Sequence, residues 1–236
     1  MDERHATWEW LAAHFSTIGN PEAWLPRLRA HAAMLAAAEV RTTSVPPEEM
    51  VRRHFAESLE ILRISLDAGG GPPVVDVGSG GGFPGLVIAA VFPEWEVHLV
   101  EPLQKRARVL ATIAAGLGLE RAAVHPERAE TLGRGPLRES ANLVTARAVA
   151  PLREALEYTA PFAALGAPVI LPKGSSFREE LRAAERAMSE LGVEYEGAVP
   201  MRPTISGTIV VARFRKVRPT PDRYPRRPGV PGKRPL

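Results

Sequence analysis

A glycine-rich segment has residue types that could hold a nucleotide-containing ligand. Five glycines fall within eight residues, from Gly78 to Gly85, directly after an apolar run that contains Asp76. Glycines let the backbone turn sharply and approach a ligand closely, but they are entropically costly where nothing uses that freedom. A loop of this kind, between a buried strand and a helix, is typical of cofactor sites at the carboxyl ends of parallel strands. The sequence therefore predicts a cofactor loop over residues 76–85.

Two cofactors fit this loop, a nicotinamide dinucleotide and S-adenosylmethionine. Gly80, Gly82 and Gly85 match the G-x-G-x-x-G dinucleotide pattern, which is a weak signal by itself. The carboxylate of Asp76 is poorly placed to face a pyrophosphate, but it suits a ligand that carries an ammonium and a sulfonium. Glu101 follows 21 residues after Gly80, where a carboxylate can accept hydrogen bonds from ribose hydroxyls of either cofactor. We therefore expect S-adenosylmethionine.

The segments that must position this loop alternate between strand-like and helix-like patterns. Apolar runs predict strands at residues 74–77, 97–100, 122–125, 143–146, 168–171, 193–199 and 208–214. Helices are predicted between them at residues 86–92, 103–117, 151–164 and 177–191. This alternation predicts an α/β, Rossmann-like fold with a mostly parallel sheet, and the last strand pair predicts an antiparallel edge. The adenine edge of a cofactor would lie beside residues 128–130, after the third strand.

Three parts are predicted along the chain. Residues 1–66 form a helical N-terminal extension, because apolar side chains between Met50 and Leu62 recur at helical spacing. Glycines and prolines at residues 68–73 then break the pattern. Residues 67–216 follow as the domain that binds S-adenosylmethionine, and a basic, proline-rich tail completes the chain.

The tail, residues 217–236, concentrates the positive charge. It holds six prolines and six basic residues against one acidic residue, a formal charge of +5, whereas the rest of the chain sums to −2. A basic segment without periodicity predicts an extended tail that meets an anionic partner such as RNA. The alternative is a tail that packs on the domain and buries Tyr224.

The composition excludes several classes of protein. Cysteine is absent, which excludes a disulfide scaffold, a thiolate zinc site and a cysteine nucleophile. The six histidines lack paired spacing, so no metal site is predicted. Apolar runs fall far short of the roughly 18–20 residues that a membrane-spanning helix needs, and the first residues do not resemble a secretion signal. We expect a cytoplasmic monomer with no membrane partner.

Seven short motifs together resemble one known family. They are residues 54–59 (His-Phe-Ala-Glu-Ser-Leu), the loop 76–85, residues 101–106 (Glu-Pro-Leu-Gln-Lys-Arg), 128–130, 146–150 (Ala-Arg-Ala-Val-Ala), Lys173-Gly174 and the tail motif at 224–231. The chain is similar to ribosomal RNA small-subunit methyltransferase G, also called glucose-inhibited division protein B. The resemblance implies a class I methyltransferase that uses S-adenosylmethionine to methylate N7 of one guanine in 16S rRNA, with the rRNA or the small subunit as partner.

The resemblance also implies roles for individual residues. Arg147 and Lys173 match the family's basic residues after the fourth and fifth strands, and we take them as the catalytic candidates, with Lys173 on the RNA side. Apart from the resemblance, His54 is interpreted as a packed or surface residue rather than a catalyst. The predicted cofactor-binding set combines the loop, the acidic residues and the adenine contacts: Asp76, Gly78, Ser79, Gly80, Phe83, Glu101, Ala129, Glu130 and Arg147.

Three positions depart from the family pattern. Arg41-Thr42-Thr43 stands where the family usually has Asn-Leu-Thr, and Glu57 replaces an aspartate. Gly207-Thr208 stands where the family usually has Arg-His. If that pair grips RNA in the family, Arg202 or the tail would have to substitute for it here.

The expected chemistry requires little acid–base machinery. Guanine N7 carries an exposed lone pair and can accept a methyl group without first losing a proton, so positioning suffices. Residues 142–147 contain no Asn-Pro-Pro-Tyr-like motif, which disfavours methylation of an exocyclic amine. A small-molecule methyltransferase and a non-catalytic, cofactor-binding, RNA-associated protein remain open as alternatives. An NAD-dependent oxidoreductase is the least favoured.

Overall fold

The strands of the computed structural model, which describes residues 6–236, form one seven-stranded sheet. In chain order they are β1 (Val74–Val77), β2 (Val97–Val100), β3 (Ala122–His125), β4 (Leu143–Ala146), β5 (Pro168–Lys173), β6 (Val193–Pro200) and β7 (Val210–Lys216). The spatial order is β3-β2-β1-β4-β5-β7-β6. Strands β1 to β5 are parallel, whereas β7 runs antiparallel to both β5 and β6. The predicted mostly parallel sheet with an antiparallel edge is confirmed.

The central strands are buried along their whole length because helices cover both faces of the sheet. Every residue of β1 and β4 is buried. Successive side chains point to opposite faces, so Val74 and Leu143 join one apolar cluster while Val75 and Val144 join another. The two clusters hold the sheet rigid, and loops at the carboxyl ends of its strands are positioned accordingly.

Ten α-helices surround the sheet in the described part of the chain. They are α1 (Trp8–His14), α2 (Pro21–Ala37), α3 (Glu57–Asp67), α4 (Gly85–Val91), α5 (Gln104–Gly116), α6 (Ala129–Leu132), α7 (Leu152–Thr159), α8 (Phe177–Ala183), α9 (Glu185–Leu191) and α10 (Val230–Lys233). The helix predicted at residues 151–164 already ends at Thr159, because Pro161 has no N–H and sits in a 3-10 turn. The helix predicted at 177–191 is two helices that meet at Ala184.

The described part of the N-terminal extension is bound tightly to one face of the main domain. Trp24 of α2 is fully buried, and its indole Nε1 donates to the carbonyl of Ile18 at 2.8 Å. It shares an apolar cluster with Phe55 and with Leu86 of α4. Before α3 the chain forms a 3-10 turn (Pro47–Glu49) and a π-helical turn (Val51–Ala56). Turns of the latter kind often occur at functional sites.

The tail packs against the body instead of projecting from it. Arg134, in the connection between β3 and β4, donates through Nε to the carbonyl of Pro225 at 2.9 Å. Arg138 in the same connection donates through Nη1 to the carbonyl of Tyr224 at 2.8 Å, and the Tyr224 side chain is buried. The expectation of an extended, projecting tail is therefore wrong and the packed alternative is correct, while contact of the tail with RNA stays a prediction.

Two buried carboxylates explain why the tail is held. Glu157 of α7 is fully buried, and Arg226 pairs with it through Nε and Nη2 at distances of 2.5–3.1 Å. The backbone N–H of Arg226 also donates to Glu157 at 2.8 Å. Glu130 of α6 is buried as well, and its Oε1 accepts from the N–H of Gly229 at 2.9 Å. The tail thus supplies hydrogen-bond donors to acids that would otherwise lie unpaired in the core.

Replacement of Arg226 by alanine should destabilise the protein strongly, because it leaves the Glu157 charge buried without its partner. We expect a loss of about 3–5 kcal/mol in the free energy of unfolding, measured by urea denaturation. Arg227→Ala is the matched control, since Arg227 is the exposed neighbour and should change that free energy by no more than about 0.5 kcal/mol. Equal unfolding midpoints for the two variants would show that the tail contacts contribute nothing to stability.

Candidate functional site

A cleft of about 830 Å³ opens at the carboxyl ends of β1, β4 and β5. Three loops line it, at residues 78–83, 146–150 and 172–174, together with the segment 41–45 before the π-helical turn. This is the edge of a parallel sheet where ligands of α/β proteins bind. The predicted site residues that line it are Gly78, Ser79, Gly80, Phe83, Arg147 and Lys173. The predicted residues Asp76, Glu101, Ala129 and Glu130 lie outside its lining.

The glycine loop needs glycine at particular positions. Gly78 has φ +73° and Gly82 has φ +96°, which is a backbone region that residues with a Cβ rarely adopt. A Cβ on Gly78 would also lie 2.6 Å from Cγ2 of Val149, across the cleft wall. The loop therefore keeps a narrow space between its backbone and the segment after β4, as expected where a ligand approaches the main chain.

Two acidic residues hold the loop in shape from below. Asp76 is fully buried, and its Oδ2 accepts from the N–H of Gly85 at 3.0 Å, while Oδ1 has no partner. Burial raises the pKa of Asp76 to about 6. Glu101 accepts from the N–H of Gly80 at 3.0 Å and from the N–H of Leu103 at 2.9 Å. An unpartnered carboxylate oxygen beneath a glycine loop fits a cofactor that carries positive charge, as S-adenosylmethionine does.

The two predicted adenine contacts lie at the start of α6, and both are buried. The Glu130 carboxylate already accepts a hydrogen bond from Gly229 of the tail, so its side chain serves the packing of that segment. The role of Ala129 and Glu130 in binding adenine stays a prediction.

Arg147, directly after β4, is held by three groups from one segment of the chain. Its Nη1 donates to the carbonyl of Arg53 at 2.8 Å and to Oε2 of Glu57 at 3.1 Å. Its Nη2 contacts Nδ1 of His54 at 2.8 Å, and its guanidinium carbon lies 5.3 Å from the ring centre of Phe83. Burial lowers the pKa of Arg147 and raises that of Glu57. Glutamate at position 57 therefore still provides the carboxylate that partners this arginine.

Phe83 of the glycine loop is stacked between two histidines. The His54 ring lies 4.2 Å from one face and the His31 ring 4.9 Å away, both nearly parallel to Phe83. His31 also contacts the Gly81 carbonyl through Nε2 at 2.7 Å, so it acts as the donor. Burial lowers the pKa of His31 to about 4 and, with the nearby Arg147 charge, that of His54 to about 3. Both rings are neutral at physiological pH.

These contacts extend the sequence-based interpretation. His54 packs as expected, but it also contacts Arg147, a contact that sequence reasoning did not predict. His31 did not enter the predicted site, and nothing in its sequence surroundings marks it, because its partner Gly81 lies 50 residues away. One feature of the sequence pointed to a role for His54 in the site: it begins one of the motifs that carry the family resemblance.

Lys173, at the end of β5, lies in the cleft wall and is mostly buried. Its Nζ donates to the carbonyl of Ala150 at 2.8 Å and to Oε2 of Glu180 at 3.0 Å. Glu180 also accepts from the N–H of Leu152 at 2.7 Å. Lys173 therefore connects the end of β5 to the segment after β4, in which Arg147 lies.

Arg202 is not placed to substitute for the Arg-His pair that Gly207-Thr208 replaces. Both Gly207 and Thr208 are exposed, and their neighbour Ile209 lines the cleft. Arg202 instead pairs with the fully buried Glu60 at 2.6 Å, and its guanidinium lies over the Phe15 ring. It is committed to packing, as Arg226 is in the tail.

Among residues 6–236, no group of three or more histidine, aspartate or glutamate side chains is arranged to hold a metal ion. Within the same range, no helix combines the length and the apolar character needed to cross a bilayer.

The sheet order and the glycine loop after β1 define a Rossmann-like methyltransferase, and solved structures support this fold. A 16S rRNA (adenine(1408)-N(1))-methyltransferase from Catenulisporales acidiphilia superimposes with a TM-score of 0.50 at 21% identity, covering 66% of this chain and 91% of that chain. Cofactor-bound Rv0187 from MTB gives a TM-score of 0.56 at 19% identity, covering 81% of this chain and 89% of that chain.

Sequence comparisons identify the family. The model of the family described as rRNA small subunit methyltransferase G matches residues 28–202. The ribosomal RNA small subunit methyltransferase G of Roseiflexus castenholzii is 43% identical over 204 residues, which is 84% of each chain. That of Thermotoga neapolitana is 42% identical over 194 residues, covering 80% of this chain and 81% of that protein. The chain belongs to this family, which confirms the resemblance, and S-adenosylmethionine is its cofactor.

The buried His31 should make stability depend on pH. Below pH 6.5 the unfolded chain takes up a proton at His31, whereas the folded protein does so only near pH 4. The free energy of unfolding therefore falls as the pH drops through this window. His31→Gln keeps an N–H donor but cannot titrate, so this variant should lose about 1.4 kcal/mol per pH unit of that dependence. Urea unfolding of both proteins between pH 6.5 and pH 4.5 measures it, and identical slopes would contradict the neutral, buried state of His31.

Proposed function

We propose that this protein methylates N7 of a specific guanine in 16S rRNA, with S-adenosylmethionine as methyl donor. The observation that carries the N7 assignment is the lack of a free general base among the described residues lining the cleft. His54 and Glu57 are the histidine and the carboxylate in that lining. Both ring nitrogens of His54 are engaged, and Glu57 is paired with Arg147. A nucleophile that already carries a lone pair needs no such base.

The cofactor supplies an electrophilic methyl group, and the chain supplies its orientation. We assign its binding to the glycine loop at Gly78, Ser79 and Gly80, with Asp76 and Glu101 beneath it. Ala129 and Glu130 are assigned to the adenine end, and Phe83 and Arg147 to the end nearer the substrate. Phe83 and Arg147 are held rigid by the histidine stack and the Glu57 ion pair, which favours a preorganised site. Lys173 fixes the adjoining wall on the RNA side.

The basic mouth of the cleft supports an RNA substrate. Arg41, Arg53 and Arg106 line it, in addition to the internally paired Arg147 and Lys173, while Glu57 is the acidic residue of the lining. Arg41 and Arg53 are exposed, and Arg53 is paired at the surface with Glu49 at 3.0 Å, so Arg41 is the freer of the two to meet phosphate groups. We infer that the body of the protein provides the RNA contacts for which the tail was the sequence-based candidate.

The remaining expectations follow from this function. We propose that the protein acts as a monomer in the cytoplasm, on 16S rRNA or the small ribosomal subunit. We also propose that residues 67–216 are the methyltransferase domain, and that residues 1–66 and 217–236 support it instead of working as independent units.

Substitution of two arginines at the cleft mouth should weaken RNA binding. We expect the double variant Arg41→Gln and Arg106→Gln to bind 16S rRNA more weakly, with a salt dependence flattened by about 0.7–0.9 per lost phosphate contact. The matched control is Arg227→Gln with Lys233→Gln, which removes the same charge from exposed tail positions. Affinity is measured by fluorescence anisotropy over a series of salt concentrations. A larger effect of the tail pair would return RNA binding to the tail.

The proposed function is tested by locating the methyl group. Purified protein, labelled S-adenosylmethionine and small subunits from a strain lacking the gene should yield one N7-methylguanine in 16S rRNA. Reduction and aniline cleavage of the rRNA then map its position. A methyl group on an exocyclic amine, or none on rRNA together with transfer to small acceptors, would overturn the proposal and favour the small-molecule alternative.

A further inference from the structure

Hydrogen bonds link Arg147, His54 and Thr43 in the cleft, and Arg147 determines which atom donates in each of them. Arg147 Nη2 lies 2.8 Å from Nδ1 of His54. A guanidinium has only N–H donors and stays protonated in proteins, so it cannot accept a hydrogen bond. Nδ1 of His54 must therefore present its lone pair, and the neutral ring must carry its proton on Nε2.

The proton on Nε2 of His54 determines the direction of the next hydrogen bond, which joins His54 to Thr43. Nε2 of His54 lies 2.6 Å from Oγ1 of Thr43, so Thr43 accepts from the histidine. The same oxygen accepts from the N–H of Val45 at 3.0 Å. A hydroxyl has two lone pairs and one hydrogen, and here both lone pairs are used. The hydrogen bonds of the described residues thus use Thr43 only as an acceptor and leave its own hydrogen to donate elsewhere.

Thr43 is placed where such a donor could meet a substrate. It is partly buried and lies in the segment 41–45, which lines the cleft together with the loops after β4 and β5. Arg147 and Phe83 line the same cleft. Thr43 is not among the residues assigned to the cofactor, so its donor is available for the base that enters from the RNA side.

We propose that the Thr43 hydroxyl recognises the keto oxygen at position 6 of the target guanine and so selects guanine over adenine. This inference rests on the proposed function. In guanine the acceptor O6 lies beside N7 on one edge of the base, whereas adenine presents an amino group there. A hydroxyl that can only donate binds the keto oxygen and meets the amino group donor to donor. Because Arg147 cannot accept a hydrogen bond, the donor and acceptor roles of His54 and Thr43 cannot reverse to accommodate adenine.

The polarity also explains why a histidine rather than a carboxylate joins Arg147 to Thr43. A carboxylate at position 54 would accept from both neighbours and would leave Thr43 one lone pair to accept with. A neutral imidazole accepts a hydrogen bond on one nitrogen and donates on the other. His54 can therefore accept from Arg147 and donate to Thr43, which leaves the Thr43 hydrogen free to donate into the cleft. The stack on Phe83 keeps the ring in that orientation.

The test compares two substitutions at Thr43 on two substrates. Thr43→Val removes the hydroxyl at nearly constant shape, and Thr43→Ser keeps it; Thr112→Val, on an exposed face of α5, is the matched control. The substrates are small subunits reconstituted with ligated 16S rRNA that carries, at the position mapped for the wild type, either guanine or 2-aminopurine. The latter base retains N7 and lacks the keto oxygen. Single-turnover methylation rates, cofactor affinity and melting temperature are measured for each variant.

We expect Thr43→Val to slow methylation of guanine by about 10- to 100-fold, with the rate on 2-aminopurine and the cofactor affinity little changed. Thr43→Ser and Thr112→Val should both behave as wild type. An equal loss on both bases, or an unchanged rate on guanine, would overturn the role of Thr43 while leaving the proposed function intact. Failure of the wild type to methylate N7 of any guanine would instead refute the proposed function, and this inference with it.

Discussion

The geometry of the site depends on how a permanently charged arginine is accommodated in a largely buried position. Arg147 follows the central strand β4 and cannot shed its proton, so every group around it must accept a hydrogen bond or carry negative charge. Glu57 supplies the charge and accepts one N–H, while the Arg53 carbonyl and His54 Nδ1 accept two more. The π-helical turn Val51–Ala56 allows one short stretch of chain to present all three.

This arrangement ties together parts of the chain that lie far apart in sequence. His54 stacks on Phe83, which joins the turn before α3 to the glycine loop after β1. His31 of α2 covers Phe83 as well and holds the loop backbone at Gly81. The helical extension is thus packed directly against the glycine loop that we assign to the cofactor. In the function that we propose, a rigid loop and a fixed cation would place the reacting groups, which is the contribution that a methyl transfer without proton abstraction requires.

The sequence predicted the sheet well because local patterns determine it. The five parallel strands are apolar runs bounded by turn residues, and the glycines at 78 and 82 mark backbone that only glycine adopts easily. The long-range contacts could not be predicted in the same way. The tail was expected to extend because its prolines and charges are local features, whereas Glu157, which holds Arg226, lies 69 residues away in sequence. His31 was not predicted for the same reason, because its partner Gly81 lies 50 residues away in sequence. Arg147 and Lys173 were found through family motifs, but their partners Glu57 and Glu180 required the structure.

The central claim, that Arg147 imposes one hydrogen-bond direction on the cleft, is tested most directly by the protonation state of His54. Long-range ¹⁵N–¹H correlation spectra of the labelled protein at pH 7 report which ring nitrogen carries the proton, with His54 assigned by its loss in His54→Phe. The account predicts a neutral ring with hydrogen on Nε2 and a bare Nδ1. A ring protonated on Nδ1, or on both nitrogens, would contradict it, because Arg147 would then have no acceptor at His54 and the donor direction at Thr43 would no longer be fixed.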